Sequence, residues 1–135
     1  MRGPLRTLCL AGLALAALGA GAGCAGAPDP DERISADEMV RRLEAGDAPL
    51  VLDVRSAREY ASGHVPGAVN IPYDEVAERI AEVDAPHGVA LYCMVGPRAR
   101  KGEAALLAAG YESVLHLEGG LAAWQAEGLP VESEE

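Results

Sequence analysis

The residue in this chain best suited to chemistry is Cys93. It closes the apolar run Val89-Ala90-Leu91-Tyr92 and opens the segment Cys93-Met94-Val95-Gly96-Pro97-Arg98. A short apolar run, a thiol, then a Gly/Pro turn with an arginine is the pattern of a buried strand delivering a nucleophile to a loop. Past Arg98, the residues Ala99, Ala104, Ala105, Leu106 and Leu107 give the following stretch a helical character. Backbone N–H groups of the loop and first helical turn then converge on the sulfur or on an anion beside it, and Arg98 adds positive charge. The competing reading is an inert cysteine at a strand end, because cysteine is among the commonest interior residues. The surrounding elements have to decide between the two.

Those elements alternate. Ser35 and Glu38 form a capping pair for a helix carrying Met39, Val40 and Leu43 and stopped at Gly46. Leu50 to Val54 lacks polar alternation and reads as a strand buried on both faces. A second capping pair, Ser56 and Glu59, opens a helical turn that ends at Gly63, and after Pro66-Gly67 a brief strand runs from Ala68 to Ile71. The spacing of Val76, Ile80 and Val83 predicts a helix from about Asp74 to Glu82. Then come the strand Val89 to Tyr92, a helix from about Arg98 to Ala108, the strand Val114 to Leu117, and a short helix holding Trp124. Strands separated by helical stretches predict an α/β domain with a central, mainly parallel sheet and helices on both faces. Ligands in such sheets bind beyond the carboxyl ends of the strands, where Cys93 falls.

The ends of the chain point to export. Arg2 and Arg6, the apolar stretch Leu8 to Leu18 and the small residues through Gly23 have the order of a signal peptide, residues 1–23. Gly21-Ala22-Gly23-Cys24 resembles the lipobox of bacterial lipoproteins, with Gly21 in place of the usual leucine, so Cys24 is the expected lipidation site. Residues 24–32 then form a flexible tether, 33–131 one domain and 132–135 a frayed acidic tail. About 100 residues suffice for one core but not for two. The expected location is outside the cytoplasm, held to a membrane by the lipid, facing periplasm or cell exterior. The net charge of −10 argues against a nucleic-acid partner. Once Cys9 leaves with the leader and Cys24 carries a lipid, Cys93 is the one remaining thiol and has no disulfide partner.

Two blocks of residues resemble the rhodanese (sulfurtransferase) domain family. The first is Asp53-Val54-Arg55-Ser56 with Glu59-Tyr60, Gly63-His64-Val65, Pro66-Gly67-Ala68 and Asn70-Ile71-Pro72. The second runs from Tyr92-Cys93 through Gly96 to Arg98, then Gly110-Tyr111, Leu117-Glu118-Gly119-Gly120, Ala123-Trp124 and Gly128-Leu129-Pro130-Val131. The resemblance covers nearly the whole of residues 33–131 and implies a rhodanese-like three-layer fold. It further implies that Cys93 takes a sulfane sulfur from thiosulfate or a polysulfide, becomes a persulfide, and passes the outer sulfur to cyanide, a small thiol or a protein thiol. No cofactor and no metal are implied, and His64, His87 and His116 do not recur at metal-ligand spacing.

On this resemblance Arg98, Met94, Val95, Gly96 and Ala99 surround the anion or substrate, while Asp53, Arg55, Glu59 and His64 support the loops around it. The arginine stands five positions after the cysteine. Related phosphatases use a loop one residue longer, so sulfur transfer is favoured over phosphatase or arsenate reductase chemistry. Two positions depart from the family pattern: Pro97 offers no amide donor, and Ala99 lacks the hydroxyl that many members carry there. The apolar Met94 and Val95 favour polysulfide at least as much as thiosulfate. The alternative is a non-catalytic binding or sensor module on the same fold.

Overall fold

The computed structural model describes residues 31–134. The expected leader, Cys24 and most of the tether lie outside the described residues. Five short strands make one sheet: β1 (Arg33–Ile34), β2 (Leu50–Asp53), β3 (Val69–Asn70), β4 (Val89–Tyr92) and β5 (Val114–Leu117). Their spatial order is β1-β5-β4-β2-β3, and every pairing is parallel. The helices are α1 (Ala36–Ala45), α2 (Ala57–Ser62), α3 (Pro97–Ala108) and α4 (Gly120–Ala126).

The sheet has a core on each face, which explains why its strands read as unbroken apolar runs. Val51, Ala90, Tyr92, Leu115 and Leu117 pack with Met39 of α1 and with Leu121 and Trp124 of α4. Their alternates Leu52, Val89, Leu91, Cys93 and Val114 pack with Ala99 and Leu106 of α3 and with Val76 and Val83. Cys93 therefore continues the Leu91 face of β4, toward α3. Strand alternation carried one residue past β4 sets the side on which the sulfur lies.

The expected helix from Asp74 to Glu82 is not an α-helix. Residues 73–79 form turns, and Ile80–Glu82 a single turn of 3₁₀-helix. The bonds Glu75 N–H to Pro72 O, Glu82 N–H to Arg79 O and Val83 N–H to Ile80 O are all i to i−3, with one longer bond from Arg79 to Glu75. This tightening brings Val76 and Val83 into the same core over a short span, so the apolar residues are buried together without an α-helix. Strand β1, only two residues long, precedes Ser35 and is added to the sheet edge by bonds from His116 to Glu32 and from Glu118 to Ile34.

The acidic end of the chain is tied down where fraying was expected. Glu132 exchanges two backbone hydrogen bonds with His64, and the Glu134 N–H bonds to Ala61 O. Its unpaired polar backbone has found partners on α2 and the turn after it, which composition does not disclose. Trp124 is fully buried and donates its indole N–H to Pro130 O, 2.8 Å away.

Candidate active site

The loop between β4 and α3 brings together Cys93, Gly96 and Arg98. Gly96 precedes the helix with φ 136°, a left-handed conformation that a side chain would strain, and Pro97 takes the first helical position. This turn aims the Gly96 N–H at Cys93 Sγ, 3.0 Å away. A backbone N–H so placed can donate to an anionic sulfur, whether on Cys93 itself or on a persulfide. Pro97 contributes no second donor. Cys93 itself is 1% exposed, Met94 is half-buried against the α1/α4 core, and Val95 stands 66% exposed at the loop tip. Ala99 is buried beside Cys93 in the α3-side core, where a hydroxyl would have to find a partner.

The loop is also pinned from below. Leu121 and Ala122, in the first turn of α4, donate their N–H groups to the carbonyls of Cys93 and Met94 at 3.0 and 3.1 Å. That approach explains the Gly119-Gly120 pair: a Cβ on Gly120 would lie 2.6 Å from both carbonyl oxygens, and its φ is 60°. The pair's role as the floor of the cysteine loop depends on a contact between distant segments.

Arg98 does not stand free beside the sulfur. Its Nη1 and Nη2 donate to the two carboxylate oxygens of Glu59 on α2, at 2.7 and 2.9 Å. Both side chains are about one-third exposed. Glu59 is also the reciprocal partner in the capping box of α2, accepting from the Ser56 N–H at 3.1 Å while Ser56 Oγ accepts from the Glu59 N–H. The Arg98 hydrogen bonds, followed by those from Ser56, hold the Glu59 carboxyl at a pKa of about 2. Reciprocally, Glu59 raises the pKa of Arg98, with a smaller contribution from Cys93. One carboxylate thus fixes both the start of α2 and the arginine of the cysteine loop.

Asp53 and Arg55 form a second, deeper pair at the carboxyl end of β2. Asp53 accepts from the Arg55 N–H at 2.9 Å, from Arg55 Nη2 at 2.6 Å and from Tyr92 O–H at 2.7 Å. Arg55 Nη2 also donates to Gly63 O, and Tyr92 Oη accepts the Val65 N–H. Asn70 donates to the carbonyls of both Asp53 and Arg55. Burial, reinforced by the Asp53 charge, pushes the Tyr92 phenol well above its usual range, so Tyr92 serves as a hydrogen-bond donor and not as a proton carrier. The cluster joins β2, α2, the following turn and β4 one residue before Cys93. Tyr92 and Asn70 are its unforeseen members, linked to Asp53 by strand register.

His64 stacks on Tyr60 at 3.7 Å between ring centroids, and its Nδ1 lies 2.8 Å from Tyr60 O. Its contacts are with α2 and Glu132, and Arg58 is exposed.

An all-parallel α/β sheet with a cysteine loop running from a strand end into a helix defines the class of this protein. A family model described as the rhodanese-like domain matches residues 35–127, and the chain belongs to that family. A sulfurtransferase of Allochromatium vinosum is 34% identical over 98 residues, 73% of this chain and 92% of the relative. An HTH-type transcriptional regulator of Mycobacterium tuberculosis is 41% identical over 105 residues, which cover 76% of this chain. The chain spans 46% of that regulator. The rhodanese-like domain of an Anabaena protein, solved in solution, superposes with a TM-score of 0.68 at 31% identity, over 76% of this chain and 80% of the other. At the level of the family, the chain is related to sulfurtransferases.

Proposed function

We propose that this protein is a sulfurtransferase in which Cys93 carries the sulfur. The observation that carries this reading is the Gly96 N–H held 3.0 Å from Cys93 Sγ at the carboxyl end of a central strand. In the first half-reaction the Cys93 thiolate attacks the sulfane sulfur of thiosulfate or a polysulfide. A sulfur–sulfur bond forms on Cys93, and sulfite or the shortened polysulfide leaves with the electron pair. In the second, a nucleophilic acceptor attacks the outer sulfur and returns Cys93 to the thiolate. The Gly96 N–H faces negative charge throughout, and Arg98 adds charge beside it to the extent that Glu59 releases the guanidinium. The exposed Val95 at the rim favours a polysulfide donor at least as strongly as thiosulfate.

The test is turnover of thiosulfate, and separately of polysulfide, with cyanide as acceptor, read as thiocyanate. Wild type forms thiocyanate and Cys93→Ser does not, while its circular dichroism stays unchanged. A Cys93→Ser protein as active as wild type would refute the assignment.

A non-catalytic binding or sensor module is the second reading. It draws on the burial of Cys93 and on the neutralisation of Arg98 by Glu59. Under it, wild type makes no thiocyanate with either donor. We also propose, from the leader pattern in the sequence, that residues 1–23 are removed and Cys24 is lipidated; the mass of the mature N-terminus decides this.

A further inference from the structure

The cysteine loop offers an incoming anion little net positive charge. Arg98 stands close enough to Cys93 for the two groups to interact, and the thiol adds to the rise in the Arg98 pKa. Both terminal nitrogens of Arg98, however, donate to the Glu59 carboxylate, at 2.7 and 2.9 Å. Arg55 and Arg100 are matched in the same way by Asp53 and Asp31. The loop itself gives the sulfur one amide, that of Gly96, and Pro97 has none to add. On a chain of net charge −10, a dianion gains little by approaching this site.

The carboxylate is held by more than Arg98. Glu59 Oε2 accepts from the Ser56 N–H at 3.1 Å and from Ser56 Oγ at 2.8 Å, and these bonds belong to the capping box that starts α2. No residue of α2 is fully buried, so its first turn depends on such polar contacts. A donor that drew Arg98 toward itself would leave Glu59 in place, facing the same anion. With a pKa of about 2, Glu59 stays ionised wherever the cysteine reacts as a thiolate.

Resting on the sulfurtransferase reading, we propose that Glu59 determines donor specificity: acting through Arg98, it turns the site away from the thiosulfate dianion and toward singly charged sulfane donors that carry an organic group. Val95, exposed at the loop tip, offers that group an apolar contact. With an organic thiosulfonate, the Cys93 thiolate attacks the terminal sulfur. A sulfur–sulfur bond forms on Cys93, and the bond from the terminal sulfur to the sulfonyl sulfur breaks. The sulfinate leaves with that electron pair, so the sulfonyl sulfur is reduced as the cysteine is oxidised to the persulfide. No proton moves, and no other oxidant or reductant enters.

Thiosulfate and methanethiosulfonate test this, because they have similar shapes and differ by one charge. The full chain turns each over with cyanide, and the quantity read is kcat/KM for thiosulfate divided by kcat/KM for methanethiosulfonate. One unit of charge a few ångströms away in a solvated site should change that ratio about fivefold. Glu59→Gln should raise it, Arg98→Gln should lower it, and the double variant should return it near the wild-type value. Glu59→Asp, which keeps the charge, should keep the ratio. A Glu59 that served only the fold would lower both rates together. Without chemistry, sulfate and methanesulfonate are titrated into Cys93→Ser with and without Glu59→Gln, following the Gly96 amide by NMR. The preference for sulfate should rise by a similar factor. Thiocyanate formation with a ratio unmoved by Glu59→Gln would overturn the proposal and leave the sulfurtransferase reading standing. No thiocyanate from either donor, with a sulfate preference that rises in Glu59→Gln, would refute that reading and keep the charge selection. Failure of both measurements would refute both.

Discussion

Two arginine–carboxylate pairs flank the cysteine loop, and they do different work. In the Asp53–Arg55 pair the side chains are 0% and 2% exposed; Asp53 also accepts from the Tyr92 O–H and the Arg55 N–H, and Arg55 also donates to Gly63 O. In the Glu59–Arg98 pair the side chains are about one-third exposed and the guanidinium contacts one partner residue besides the cysteine. The first cannot rearrange without stranding a charge in the interior, so it acts as a fixed joint. Solvent can replace either partner of the second, so it acts as an adjustable contact at the site. Depth, rather than the chemistry of the pair, separates scaffold from site.

The largest effect should come from the joint. Asp53→Ala leaves Arg55 buried without its counter-charge and Tyr92 without its acceptor, and should destabilise the domain by about 3–5 kcal/mol. Urea denaturation checks it; a loss under 1 kcal/mol would mean that the cluster is hydrated. Gly120→Ala comes next, at about 2–3 kcal/mol, because it combines an unfavourable φ with a Cβ pressed against the Cys93 and Met94 carbonyls. Its signature is loss of thiocyanate formation exceeding the loss of folded protein, since the displaced segment is the cysteine loop.

Breaking the adjustable pair should do least to stability. Glu59→Gln should cost about 1 kcal/mol at neutral pH after allowance for solvent screening, while releasing Arg98 toward an anionic donor. The pH dependence has a definite sign. The folded pKa of Glu59 is depressed to about 2 from 4.5, so its contribution is fully present above pH 4.5 and is lost as pH falls toward 2. Wild type should therefore lose its advantage over Glu59→Gln across that window. An advantage that is constant with pH would mean that Arg98 does not hold the Glu59 carboxylate in solution.

Most of what positions the site is legible in the residues. The unbroken run Val89 to Tyr92 announces a strand buried on both faces, and its last residue delivers Cys93 to the loop. The capping pair Ser56 and Glu59 announces α2. Less legible is what one side chain does twice. The capping box already accounts for Glu59, so nothing in the sequence suggests its bond to Arg98, 39 positions away. The His116–Glu103 contact is hidden for the same reason: a strand and a helix meet there only after the sheet has formed. Local pattern gives elements and their ends, and pairs between elements require the register.

Sulfur carried on Cys93 itself is read from the intact mass of the loaded protein. After reduction, brief exposure to polysulfide or thiosulfate and removal of excess donor, wild type should gain the mass of one sulfur atom. That gain should map to the peptide containing Cys93, vanish on adding cyanide, and be absent from Cys93→Ser. No mass gain with either donor, or an equal gain in Cys93→Ser, would mean that Cys93 does not carry the sulfur.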